Sequence, residues 1–376
     1  MKQNNQIESG STNGEKNVIG RFLDFVGSEN LSLIIALVLL IFLITVVSGW
    51  VGLAGGSKFF TWQNLLNSLA QAVVISGLLA LGETVVALGG FMDISIGSIA
   101  SCGSVAAAGA LVGSGAIGSL HIFPQNNVFF SILAGVIIGL IAGLINGLIV
   151  TKLHVNAVVA TLGTQAAFAG AAFMLAPDGK PIGVVTQQNF TWLAQGRLFQ
   201  SANVPPLNGS KWTGIPVLTI ILLVAVIIMH VVMRYTSFGR AVYAIGGNTT
   251  AARLAGINVN SMRIRMFMIS GGISGLAGVL LASRTTSGNP INGQGLEMQA
   301  MTAVFLGGTS TSGGKGTIFG TTLAVIIVGV LNNGMNLLGF NTFVQKVALG
   351  LLLVIAVAIS QYRVLRAETA HKSVKK

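Results

Sequence analysis

The sequence predicts an all-α, polytopic membrane protein, and three observations carry that expectation. Hydrophobic residues make up 52% of the 376-residue chain and charged residues only 8%, against roughly 25% charged in ordinary soluble domains. Apolar runs of roughly 20 residues, long enough to cross a bilayer as helices, recur along the chain. The few cations gather in short segments between those runs. The single Cys102 leaves no intrachain disulfide framework and no cysteine metal cluster, and it reads as a small apolar residue inside a span. A formal net charge of +12 raises nucleic acid as a partner, but basic residues in a polytopic chain mark its cytoplasmic loops, so none is expected.

Ten spans are predicted, starting near Leu31, Leu65, Ser95, Phe129, Val155, Ile215, Met266, Ala300, Thr317 and Val344. Those around Ser95, Ala300 and Thr317 are short or broken by glycine. The organisation is then a polar head, 1–30, a membrane domain, 31–360, and a basic tail, 361–376. The head MKQNNQIESGSTNGEKN has the composition of a disordered segment. It lacks a cleavage signal, so the first span is expected to be retained. With an even number of spans and a cytoplasmic head, both termini are cytoplasmic. Of 21 basic residues, six (Lys58, Lys180, Arg197, Lys211, Arg284 and Lys346) then fall outside, leaving 15 inside, as the positive-inside rule requires. Trp50, Trp62, Trp192 and Trp212 all fall on the outer side, where amphipathic rings favour the interface.

Inside the membrane, AGVIIGLIAGLINGL sets Gly135, Gly139, Gly143 and Gly147 along one helix face, and SGGISGLAG repeats the pattern with Gly271, Gly275 and Gly278. Both are packing signals that let neighbouring backbones approach closely. Two segments break the helical pattern: ALGGFMDISIGS from Ala87 and FLGGTSTSGGKG from Phe305. Thr84 to Gly90 and Thr302 to Gly308 share five identities in seven positions at an offset of 218 residues, a hint of an internal repeat. Interrupted helices at membrane depth line cavities and solute pathways in many transporters.

FLGGTSTSGGKG imitates a phosphate-binding loop, with Gly314 and Lys315 at its G-K pair. Thr309 replaces the first glycine, Gly316 replaces the hydroxyl residue and the flanks are spans, so nucleotide binding by this chain is not expected. The intramembrane ionisable residues are Glu83 and Asp93, with Glu297 near an outer span end. Glu83 reads first as a pairing group inside the bundle. Asp93 reads as an acceptor for backbone N–H groups at the start of the next helix. His121, His154, His230 and His371 are scattered, and no nucleophile, base and orienter set exists. The chain is therefore not expected to be an enzyme or to bind a metal or cofactor. An ion-coupled carrier needs a relay of buried carboxylates or histidines that two groups do not make, although Glu83 and Asp93 keep that alternative open.

The loop from Arg234 to Arg265 is the longest between spans on the cytoplasmic side. Within it NTTAARLAGI has helix-start chemistry at Asn248, a run of Ala251, Ala252, Leu254 and Ala255, and a helix stop at Gly256. A helix of about two turns is unstable alone in water, so it is expected to dock on a partner; the competing reading is a solvated loop with positive-inside arginines.

The chain resembles the permease subunits of monosaccharide ABC importers, the ribose, galactose and xylose group. The resemblance rests on MDISIGS (Met92 to Ser98), ATLGT (Ala160 to Thr164), TSFGRAVYAIGGNTTAARLAGINV (Thr236 to Val259), FLGGTSTSGGKGTIFGT (Phe305 to Thr321) and LNNGMNLLG (Leu331 to Gly339). The polar head and the 39-residue outer segment Pro177 to Ile215 depart from it. It implies a type II importer bundle in the bacterial cytoplasmic membrane, a second permease copy, identical or paired, a cytoplasmic ABC ATPase holding ATP-Mg, and an extracytoplasmic sugar-binding protein. It also makes Gly246, Gly247, Asn248, Ala251, Ala252, Arg253, Ala255 and Gly256 the ATPase-coupling helix. Asn146, Thr161, Thr164, Gln165, Asn332, Asn333 and Asn336 are candidates for a sugar pathway, and each is equally fitted to interhelical hydrogen bonds. Lys58, Lys180, Lys211 and Arg284 are candidates for docking the binding protein. Nucleosides, a furanosyl signalling molecule, a polyol or, by analogy with related permeases, branched amino acids are alternative solutes.

Overall fold

The computed structural model describes residues 28–51 and 58–374; the predicted head and the side chain of Trp50 lie outside the described residues. The described residues are predominantly helical. Eight helices are long and apolar enough to cross a membrane, and two shorter apolar ones accompany them among the described residues. Helix α1 is Ser28–Val51. A π-helical turn, Gln63–Leu69, leads into α2, Ala70–Leu88; α3 is Ile96–Val112 and α4 is Gly115–Ser119. The long α5, Val128–Lys152, is followed by α6, Ala157–Leu175. After a segment holding β1 (Ile182–Gly183), α7 (Gln188–Gln195), β2 (Arg197–Leu198) and β3 (Ile215–Pro216) comes α8, Val217–Tyr235. Then follow α9 (Ser237–Gly247), α10 (Thr249–Leu254), α11 (Val259–Thr285), β4 (Ser287–Gly288), α12 (Leu296–Leu306), α13 (Ile318–Leu337) and α14 (Thr342–Val374).

All ten predicted apolar segments therefore form helices, with two shifts of boundary. The helix expected from Met266 starts at Val259, because Asn258 accepts a hydrogen bond from the amide of Ser261 and caps it. The loop from Arg234 to Arg265 shrinks accordingly: Arg234 ends α8, and Arg263 and Arg265 belong to α11. At the other boundary, α14 runs through Ser360 into the basic tail without a break.

The packing inverts the soluble pattern, as expected when the outer solvent is lipid. Helices α2, α3 and α11, rich in Gly, Ala and Ser, form the buried centre. Helices α1, α6, α8 and α14 carry the exposed apolar surface, including Phe42, Leu162, Ile227 and Leu351. Gly271 and Gly275 of the second glycine pattern face Gly135, Gly139 and Gly143 of the first, while Gly278 packs on Ala100 and Ser104 of α3. A side chain at Gly143 would come within 2.9 Å of the Cα of Met268 in α11, and one at Gly271 within 2.8 Å of Gly143 itself. Backbones that close gain dispersion contacts along the whole α5–α11 line.

At one end of the bundle the segment Pro177 to Ile215 folds back on the spans. β1 pairs antiparallel with β4, Ile182 opposite Gly288, and β2 with β3, Arg197 opposite Pro216. Ser283 of α11 donates to the carbonyl of Phe190 at 2.7 Å and accepts from the amide of Ala194 at 3.1 Å, which seats α7. The tryptophans gather at this end: the rings of Trp62 and Trp212 meet edge to face at 4.9 Å, and Trp192 is exposed. The opposite end carries α9 and α10.

Candidate functional site

The α9–α10 corner is built by local capping. Thr236 accepts from the amide of Gly239 at 3.3 Å and starts α9. Asn248 accepts from the amide of Ala251 at 2.9 Å and starts α10. The helix ends in a paired-bond cap: Gly256 N–H donates to Arg253 O and Ile257 N–H to Ala252 O, both at 3.1 Å. Gly256 occupies the left-handed region at φ +83° that this cap requires. Asn248 and Gly256 are thus the two ends that their residue types suggested.

The orientation of α10 revises the sequence-level list. Ala252 is buried and anchors the helix to the bundle, so its small side chain serves packing within the chain. Ala251, Arg253, Ala255 and Gly256 are exposed. Leu254, absent from the sequence-based set, is 85% exposed. It is the large apolar side chain on the exposed face of this two-turn helix. Its signal in the sequence was a single apolar residue flanked by arginine and alanine, legible only once the rotation of the helix is known.

Around this corner lie Lys152, Arg234, Arg240, Arg265 and Lys315, all exposed. The carboxylates of residues 58–358 are Glu83 and Asp93, which are buried, and Asp178 and Glu297, which belong to the opposite end. The surface is cationic, and Leu254 is exposed on it. Arg263 stacks on Phe91, its guanidinium 5.0 Å from the ring centroid, beside a cavity of about 320 Å³ that Gly90, Met92, His154 and Asn156 also line.

Inward from the corner, the first interruption, Gly89 to Ser95, is held by a fully buried polar network. Both Glu83 oxygens accept from the amide of Asp93, at 3.1 and 3.2 Å. Asp93 Oδ1 accepts from the amide of Ser95 at 3.0 Å and from its hydroxyl at 2.6 Å. Asn146 of α5 donates to the Ser95 hydroxyl at 2.8 Å and more distantly to Asp93. Thr161 of α6 donates to the carbonyl of Met92 at 3.3 Å. A backbone freed from helical bonding inside a bilayer must find partners within the protein; Glu83, Asp93 and Thr161 supply them, and Asn146 braces the side chains of Asp93 and Ser95. Glu83 and Asp93 have the pairing and capping roles that their sequence context gave them.

The seven pathway candidates do not share one place. Asn146 and Thr161 are wholly buried: Asn146 donates into the interruption, and the Thr161 hydroxyl is shared between the carbonyl of Ala157 in its own helix, at 2.8 Å, and that of Met92. Thr164 bonds back to the carbonyl of Thr161, and Gln165, half-buried, donates to Glu297 at 3.2 Å. Asn333 exchanges amide bonds with buried Asn64 at 2.8 and 3.0 Å. Asn332 and Asn336 line a second cavity, of about 270 Å³, with Ser76, Arg284, Gln299 and Lys346. Among the docking candidates Lys58, Lys180 and Lys211 are exposed at the α7 end. Arg284 is turned inward instead, donating to the carbonyl of Gln71 at 3.1 Å.

A helical bundle with interrupted spans and a short exposed helix at one end is the build of a multi-pass membrane permease. The chain belongs to the family described as branched-chain amino acid transport system / permease component, whose model matches residues 64–357. It is 38% identical over 305 residues to the ribose import permease protein RbsC of Bacillus subtilis (strain 168), covering 81% of this chain and 86% of that protein. The ribose import permease protein RbsC of Haemophilus influenzae is 35% identical over 344 residues, 92% of this chain and 95% of the relative. The L-arabinose transport system permease protein AraH of Escherichia coli (strain K12) is 33% identical over 306 residues, 81% and 85% of the two chains. No solved structure matches.

Proposed function

We propose that the chain is the membrane-spanning subunit of an ATP-driven importer that passes a simple sugar, such as ribose or another monosaccharide, into the cytoplasm. The observation that carries this is the likeness to sugar permeases along nearly the whole chain, 92% of it against the Haemophilus ribose permease, rather than over one motif. In this reading the α10 end is cytoplasmic and both termini lie there. A second copy or paired permease completes the pathway, and a partner ATPase carries ATP-Mg. An external sugar-binding protein docks on the α7 end, where Lys58, Lys180 and Lys211 are exposed.

The division of labour follows from the side chains present. Glu83 and Asp93 bond to the protein rather than lining a relay, so the energy enters through α10. Leu254 seats in a cleft of the ATPase while Arg253 bonds one of its carboxylates. Closure of the ATPase moves α10, and the bundle rocks between outward-open and inward-open forms. A neutral sugar needs hydroxyl-compatible contacts and no counter-ion. Gln165, Asn332 and Asn336 keep side chains accessible enough to provide them.

The test is purification in mild detergent with the proteins that accompany the chain, followed by ATP hydrolysis in vesicles with sugar-loaded binding protein. An associated ATPase stimulated by one sugar is the expected result and names the solute. Leu254→Asp and Arg253→Glu are each expected to weaken ATPase capture by about tenfold or more, and Ala251→Trp to block it sterically, with insertion intact. Normal capture and uptake in all three variants would overturn the assignment of α10.

A further inference from the structure

The two interrupted helices and α9 meet at one point, and no side chain separates them. Helix α2 ends with Gly90 N–H on Ala87 O at 2.9 Å and Phe91 N–H on Val86 O at 3.1 Å; α12 ends with Gly308 N–H on Phe305 O at 3.1 Å and Thr309 N–H on Val304 O at 3.2 Å. Their cap glycines have φ of +84° and +85°. The five-in-seven sequence match is thus also a match of backbone structure.

The loop after α12 then returns to the end of α2. Gly314 N–H donates to the carbonyl of Leu88 at 2.9 Å. A methyl group at Gly313 would come within 2.7 Å of the Cα and nitrogen of Gly90 and 2.9 Å of the Cα of Gly246; one at Gly314 would come within 2.7 Å of the Cα of Gly247. At Gly246, the last turn of α9, a methyl would collide with the carbonyl of Leu88 and the amide of Gly314. Tyr243, one turn earlier, donates its hydroxyl to the carbonyl of Gly316 at 2.9 Å and straps α9 to the same loop.

Only Asn248 separates this joint from α10. Side chains in an ordinary core can change rotamer and absorb a displacement, whereas backbone packed on backbone has no such freedom. The apolar face of α9, Val242 and Ile245, packs in the core shared with Val85, Leu88 and Ile318, and that contact is of the yielding kind.

We propose that Gly246, Gly313 and Gly314, strapped by Tyr243, are positioning residues that transmit movement of α10 to both interrupted helices at once. This rests on the reading of α10 as the ATPase-coupling helix. Loss of the joint separates ATP hydrolysis from transport without removing either partner.

The experiment is the assembled transporter, permease with ATPase and binding protein, in proteoliposomes, reading sugar molecules imported per ATP hydrolysed. Gly246→Ala is expected to lower that ratio about tenfold, the scale of a methyl forced into packed backbone. Tyr243→Phe, which removes one hydrogen bond and no volume, is expected to lower it about fivefold while assembly and hydrolysis persist. Gly170→Ala, in α6, adds the same methyl into open space and is expected to lower the ratio far less than Gly246→Ala. An unchanged ratio in Tyr243→Phe, or equal losses in Gly246→Ala and Gly170→Ala, would overturn the proposal. If Gly246→Ala does not assemble, Tyr243→Phe decides alone. Failure of the wild-type chain to bind any ATPase would instead overturn the underlying functional reading.

Discussion

The two interruptions begin alike and are then held by opposite means. TVVALGG and TAVFLGG build the same helix end, yet after Gly90 the chain is pinned by buried polar side chains, while after Gly308 it is pinned mainly by backbone, with Tyr243 and Gln361 as side-chain ties from outside the loop. Glu83, Ser95, Asn146 and Thr161 converge on the first. The second, Thr309 to Gly316, has no carboxylate bonded to it among the described residues and closes on itself, with Ser310 N–H on Lys315 O at 2.9 Å and Gly313 N–H on Ser310 O at 3.1 Å. The difference follows the surroundings. The first crosses the buried centre between α2, α5 and α6, where every freed amide needs a dedicated partner. The second runs at the α10 end with Ser312, Lys315 and Thr317 exposed, where water serves some of them.

The comparison predicts unequal sensitivity to polar deletion, and Asp93→Ala is the largest effect. It strips the acceptor from the Ser95 amide and hydroxyl and from Asn146 at once, leaving buried donors unpaired. A loss of about 3 kcal/mol or more is expected, seen as a large fall in the detergent unfolding midpoint. Removal of the nearest hydroxyl at the second interruption, Ser310→Ala, is expected to shift the midpoint little. Equal shifts for the two variants would break the contrast.

The next effect is steric and reverses the order. At Gly307 an added methyl would lie 2.7 Å from the Cα of Thr321 and the carbonyl oxygen of Gly320 at the start of α13. Gly307→Ala should destabilise by about 1–3 kcal/mol. The equivalent change at the first interruption, Gly89→Ala, meets chiefly the flexible thioether of Met266 and is expected to be milder. Circular dichroism melts of the two variants, side by side, read the difference.

Much of this was legible in the sequence, for identifiable reasons. The ten apolar segments follow from run length, which lipid enforces directly. The glycine faces of α5 and α11 were visible as spacings of three and four residues, though that they face each other was not, since spacing carries no partner information. Asn248 and Gly256 bound α10 because caps are local chemistry. Thr236 and Asn258 are equally good caps, but the arginines between them read as loop. The exposure of Leu254 and the burial of Ala252 depend on how a six-residue helix is rotated against the bundle, which its own residues do not encode. The inward turn of Arg284 and the burial of Asn146 and Thr161 are likewise tertiary facts.

The smallest effect is the sharpest test of what the side-chain network is for. In Glu83→Gln the carboxamide retains one oxygen to accept from the Asp93 amide, so the interruption keeps its anchor and loses a charge-bearing group. If the network only holds backbone, uptake driven by the ATPase should fall by no more than about twofold, the worth of a weakened hydrogen bond. Glu83→Leu, which leaves that amide without an acceptor, should cost far more in stability. The two substitutions differ in hydrogen bonding far more than in volume, so their separation isolates the acceptor. Uptake abolished in Glu83→Gln with normal assembly would mean that the group moves a proton or an ion during transport. The comparison between the two interruptions would then be one between an engine and a joint, and the chain would be an ion-coupled carrier.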